Sequence, residues 1–97
     1  MTFIPPNKFK LGSRTWKVER VERRGRWVGK CSADRCRIRL NMRRIKSNEE
    51  LRHTFFHELM HAICATMGWT RLDNDEDKID AIGNLLAQVE QTLTWED

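Results

Sequence analysis

The sequence predicts an α+β fold, a small three-stranded and mainly antiparallel sheet followed by two packed helices, within a single domain of 97 residues. Three observations lead there. Apolar side chains alternate with charged ones up to about residue 42, then recur every three or four residues beyond Ser47. The charge divides at the same place. Residues 1–46 carry 15 Lys/Arg against Glu19, Glu22 and Asp34, a net +12, while residues 47–97 carry 3 against 11 acids, a net −8, together the +4 of the whole chain. A chain of this length also has room for one small core and no second one. Residues 1–97 are therefore read as one domain, with a basic β half over 1–46 and a helical half over 47–97.

Pro5 and Pro6 lead into the sheet, and a short strand near Phe9–Leu11 is an optional addition to the three. In RTWKVERV, Trp16 and Val18 alternate with charged neighbours, the pattern of a strand buried on one face and wet on the other. CRIRLNM repeats it, with Ile38, Leu40 and Met42 on one side and Arg37, Arg39 and Asn41 on the other. Between them, ERRGRWVGKCSADR sets Gly25 and Gly29 around Trp27 and Val28, which reads as hairpin chemistry.

Ser47 followed by Glu50 is a capping box that starts a helix at Asn48. Leu51, Phe55, Leu59, Ala62, Ile63 and Thr66 recur at helical spacing until Gly68 ends the run. Acids in DNDEDKID suit a second helix N-terminus. Ile79, Ile82, Leu86, Val89 and Leu93 then form one stripe, so the second helix is expected from about Asp73 to Thr92.

The three cysteines, Cys31, Cys36 and Cys64, are an odd number with no secretory signal before them, and reduced thiols are expected. Cys31 and Cys36 lack a second Cys/His pair to complete a structural zinc site and are read as packing or turn residues. No apolar run approaches the roughly 20 residues of a membrane span. A cytoplasmic protein without membrane association is expected.

All three histidines lie in HTFFHELMH, residues 53–61. On a helix, His57 and His61 stand one turn apart on one face, with Cβ atoms about 6 Å from each other. Two imidazoles so placed can converge on one zinc ion at about 2.1 Å each. Glu58 is turned about 100° from His57, within reach of a water that the ion acidifies. This is the content of H-E-x-x-H: two ligands, and a general base beside them. His53 is eight residues from His61, about 12 Å along the axis, too far to share the ion. It is read as a neighbour that hydrogen-bonds or polarises substrate, or as an ordinary exposed helix histidine.

A hydrolytic zinc needs a third protein ligand, and no histidine follows His61. A carboxylate from the second helix start is expected, from among Asp73, Asp75, Glu76, Asp77 and Asp80. Glu76 is preferred for its reach, with Asp77 and Asp80 as alternatives. Gly83, two turns further on, would let the helices approach closely.

HELMHAI, followed by DEDKIDAIGNLLAQV, resembles the gluzincin-type minimal metallopeptidases, especially the ImmA/IrrE-like family found in phages and mobile elements. The similarity covers residues 50–90. It implies a minimal zincin-like core in which His57, His61 and one acid of the 75–80 cluster bind zinc and Glu58 serves catalysis. Two features depart from that pattern: the chain is shorter than typical members, and it contains no tyrosine to stabilise an oxyanion. His53, Arg71, Lys/Arg of the sheet or the metal itself are what remains for that part.

The functional expectation is a zinc-dependent metallopeptidase acting on a peptide or protein, with substrate paired along a sheet edge. The alternative is a noncatalytic binding module stabilised by its metal. Nucleic acid is a further candidate partner, through Arg23, Arg24, Arg26, Lys30, Arg35, Arg37, Arg39, Arg43 and Arg44 interleaved with Trp27.

Overall fold

The computed structural model describes residues 2–95. Four strands, β1 (Lys8–Leu11), β2 (Arg14–Val21), β3 (Gly29–Ser32) and β4 (Arg37–Asn41), precede three helices, α1 (Asn48–Met67), α2 (Thr70–Asp73) and α3 (Glu76–Thr92). The α+β class is as expected. The sheet, however, has four strands and not three, in the order β1-β2-β4-β3. The optional strand at Phe9–Leu11 is its edge, and the central β2–β4 pairing is parallel, Val18 opposite Ile38 and Arg20 opposite Leu40.

The parallel pairing follows from the loop at 22–28. Gly25 within it and Gly29 at its end do not close a hairpin between adjacent strands; the loop carries the chain past the place β4 will take, so that β3 forms the far edge and returns through residues 33–36. Asn41 fixes that loop. Alternation had placed it outside with Arg37 and Arg39, yet it is fully buried. Its Oδ1 accepts from the Arg23 and Arg43 amides at 3.0 and 3.3 Å, and its Nδ2 donates to the carbonyls of Arg23 and Trp27 at 3.2 and 3.0 Å. A single amide side chain thus satisfies backbone groups that no ladder reaches.

Trp16, Val18, Ile38 and Leu40 line the inner face of the sheet and form one core with Leu51, Phe55 and Ala62 of α1. Phe3 joins it, held by a reciprocal pair of 2.8 Å bonds between its backbone and the Asn48 side chain. A second cluster, Met60, Cys64 and Ile79 with Ile82 and Leu86 against it, packs α3 on the other side of α1. Arg52, buried under Phe3, bridges to Glu90 at 2.8 Å.

Helix α1 has the expected limits. Ser47 Oγ accepts from the Glu50 amide at 3.1 Å, and Gly68, at φ 71°, takes the left-handed cap that a side chain would disfavour. The second helix begins later than the acidic run suggested. Residues 70–73 make a separate turn, the chain breaks at Asn74, and α3 starts at Glu76 with Asp75 Oδ1 accepting from the Lys78 amide at 3.2 Å. An aspartate that can cap competes with continuing the helix through itself. Among the described residues no helix is long and apolar enough to cross a membrane. The three thiols are unpaired, Cys36 and Cys64 buried and Cys31 half-buried.

Candidate metal centre

Phe55 and Ala62 face the sheet, which turns His57 and His61 toward α3. Gly83 brings that helix in. A Cβ built on it would lie 3.1 Å from both the nitrogen and the Cα of His57 and 3.3 Å from the Phe56 carbonyl carbon. With hydrogen there instead, the α3 backbone rests on α1 and its first turns run past the two imidazoles.

Glu76 is the side chain that meets them. Its Oε2 is 3.2 Å from His57 Nε2 and its Oε1 is 3.0 Å from His61 Nε2. Among the described residues, His57, His61 and Glu76 form the one group of three His, Cys, Asp or Glu whose ligand atoms lie within 4.8 Å of one another. Bonds of about 2.0–2.1 Å to a tetrahedral zinc place neighbouring ligand atoms roughly 3.3 Å apart. The two nitrogen–oxygen contacts, 3.2 and 3.0 Å, are close to that spacing, each to its own oxygen of Glu76. The histidines are half-buried and Glu76 is 64 % exposed, so the group is closed by protein on one side and open on the other.

Two further carboxylates grip the outer nitrogens. His61 Nδ1 is 2.7 Å from Asp73 Oδ1, and His57 Nδ1 is 3.2 Å from Asp80 Oδ1. An aspartate accepts only if the ring donates, so these contacts favour the tautomer with its proton on Nδ1 and its lone pair on Nε2, facing Glu76. Carboxylates in this position orient a ligating imidazole and raise its basicity. Of the alternatives to Glu76, Asp80 meets the outer nitrogen of His57, and Asp77 is exposed and outside the group. Asp75 is the cap of α3. The contacts of Asp73 and Asp80 with the outer nitrogens were missed from sequence; Glu76 and Asp80 are four residues apart on one face of α3, whereas Asp73 ends α2 and no helical spacing links it to them.

Glu58 is beside the group and 8 % exposed. Burial pushes its carboxyl above the ordinary range, against the opposing pull of His57 and His61. Two cavities meet at Gly29, His57 and Glu58, one of 440 Å³ and one of 550 Å³. His53 lines the first, with Glu50, Asp80 and Asn84, and is not among the three converging side chains. Lys30 and Arg39 line the second, while Arg71 lines neither.

A compact α+β domain that brings an H-E-x-x-H helix against a carboxylate belongs, by fold and site, with the minimal metallopeptidase-like domains that can hold one divalent ion. Residues 6–75 match the SprT-like family, and the chain belongs to it. This corrects the ImmA/IrrE-like resemblance to a different family of similar gluzincin type. The match takes in the sheet, His57, Glu58 and His61 and stops one residue before Glu76. The chain matches no curated protein and no solved structure.

Proposed function

We propose that the protein is a zinc-dependent metallopeptidase, with His57, His61 and Glu76 as ligands and Glu58 as general base. The convergence of both Nε2 atoms on one carboxylate, with a buried glutamate next to them, carries this reading. Zinc is the ion that suits two imidazoles and a carboxylate, and when bound it supplies Lewis acidity toward water and the scissile carbonyl. Glu58 takes the proton from the attacking water and passes it to the departing amine, a task for which a raised carboxyl pKa is the right adjustment. His53, in the cavity next to Glu58, donates to the carbonyl oxygen as charge develops on it, the part that tyrosine would otherwise play. The β3 edge has a free side, and an extended peptide pairs along it, through the junction of the two cavities. The protein works in the cytoplasm.

Elemental analysis and peptide hydrolysis test this together. Parent protein should carry one zinc per chain, and His61→Ala should carry none. Glu58→Gln should keep the zinc and melting temperature while losing hydrolysis. Zinc present with no cleavage of any peptide in the parent would instead favour the noncatalytic, metal-stabilised module.

A second reading, nucleic-acid binding, draws on strand register. Lys8, Lys17 and Arg37 stand directly opposite one another across β1, β2 and β4, and Arg39 stands opposite Lys30. Like charges in that relation destabilise a sheet by a few tenths of a kcal/mol to about 1 kcal/mol each. Glu19, 3.4 Å from Arg37, is the one acid among them. Trp27 lies under Lys30 and Arg39, 4.7 and 5.6 Å from ring centre to cation. A polyanion relieves the repulsion and a base can stack on the ring. Fluorescence anisotropy of labelled DNA decides it: binding at low salt should weaken steeply with added salt and with Lys17→Glu or Lys30→Glu, and absence of low-salt binding removes this reading.

A further inference from the structure

We infer that Gly29 is a positioning residue for Glu58: the bare backbone of the edge strand seats the Glu58 carboxylate at the junction of the two cavities, and any side chain at position 29 displaces it. Its catalytic consequence rests on the peptidase reading; its steric content does not.

Gly29 opens β3 and pairs with Leu40, which faces α1, so a substituent on Gly29 would point toward that helix too. A Cβ there would stand 2.7 Å from Thr54 Cγ2, 3.0 Å from Glu58 Cγ and 3.1 Å from Glu58 Oε2. The backbone does not ask for glycine. Gly12, Gly25 and Gly68 have positive φ and Gly29 does not. A strand glycine with ordinary dihedrals costs backbone entropy and packs nothing, and its usual reason is the close approach of another group. Here two side chains of α1 make that approach, Thr54 with its methyl and Glu58 with its carboxylate end.

Three things touch the space, and two are held. The Thr54 hydroxyl donates to the Glu50 carbonyl at 2.7 Å, which fixes the direction of its methyl. The strand is tied into the β4 ladder, and just before it the Val28 carbonyl accepts from the Asn41 amide at 2.8 Å. Glu58 has the freest end, at the cleft. An added methyl therefore moves the carboxylate by several tenths of an ångström to about 1 Å, a displacement that costs a general base on the order of tenfold to a hundredfold in rate.

The test is Gly29→Ala in the full chain, alone and with Thr54→Ser, which removes the Cγ2 contact and leaves the Glu58 contact in place. Crystal structures should show the Glu58 carboxylate displaced in both variants while the His57 and His61 rings keep their positions. Zinc per chain should equal the parent's. Hydrolysis should lose about tenfold or more in kcat with KM within about twofold, and Thr54→Ser should not restore it. If Gly29→Ala does not fold, the double variant gives the same readings. A carboxylate found in its parental place, or kcat fully recovered by Thr54→Ser, overturns the proposal. If the parent itself cleaves no peptide, the peptidase reading fails and the crystallographic displacement still decides the role of Gly29.

Discussion

Gly83 lies against the backbone of His57, with room for hydrogen and not for a methyl: a Cβ would be 3.1 Å from the His57 nitrogen and Cα. Backbone cannot move aside as the end of a side chain can, so Gly83→Ala should push α3 outward and take Glu76 and Asp80 with it. We expect zinc affinity to fall at least tenfold, measured by competition with a chromophoric chelator, and stability to fall by about 1–3 kcal/mol in urea. Unchanged affinity would mean that Glu76 reaches the imidazoles without close helix packing.

Asp73→Asn and Asp80→Asn separate orientation from ligation. Each leaves His57, His61 and Glu76 present and weakens the acceptor for an Nδ1 proton, which should cost about 10–100-fold in zinc affinity. Asp73→Asn should cost more, because its contact is 2.7 Å against 3.2 Å for Asp80. Glu76→Ala should exceed both. Isothermal titration of the three variants gives the order, and Asp80→Asn ranking worst would make Asp80 the third ligand.

Asn41→Ala should destabilise by about 1–3 kcal/mol, since it strips partners from part-buried backbone groups of residues 23, 27 and 43 at once. Asn41→Asp should not rescue it. A carboxylate keeps the acceptor but turns two donated bonds into repulsions with the Arg23 and Trp27 carbonyls. Chemical denaturation reads both, and a loss below about 1 kcal/mol for Ala would show that the loop holds itself.

Thiol chemistry tests the placement of β3. Burial, with the nearby charges of Glu58 and Asp73, pushes the Cys31 thiol up from 9.0 to about 12. A raised pKa keeps the thiol protonated, so at pH 8 its thiolate fraction, and with it the alkylation rate, should be about a thousandfold below that of an unperturbed thiol. Burial also raises Cys64. Native metal-free protein should react with Ellman's reagent almost not at all at pH 8, and guanidinium should release the three thiols counted in the sequence. The sign for stability is the same: the contribution of Cys31 is full below pH 9.0 and is lost as pH rises toward about 12.

What could be read in the chain was whatever depends on neighbours in sequence. Ser47, Glu50 and Gly68 set the limits of α1 because caps are local chemistry, and the four-residue step from His57 to His61 put both imidazoles on one face of any helix they occupied. Trp16, Val18, Ile38 and Leu40 declared the inner face of the sheet by alternation. Glu76 was a choice among five acids made on reach and on the promise of Gly83, and it is the acid whose carboxylate lies beside both imidazoles.

What only the tertiary structure decided depends on groups far apart in sequence. The order of the strands, with β4 parallel beside β2, is one such feature, and another is Asn41 binding a loop 14–18 residues earlier in the chain, which its alternation with Arg37 and Arg39 concealed. Which imidazole nitrogen Asp73, Glu76 and Asp80 each meet is a matter of ångströms, fixed by how α2 and α3 lie on α1. Local periodicity specifies the face on which a side chain stands; distance to a partner on another element is specified by packing.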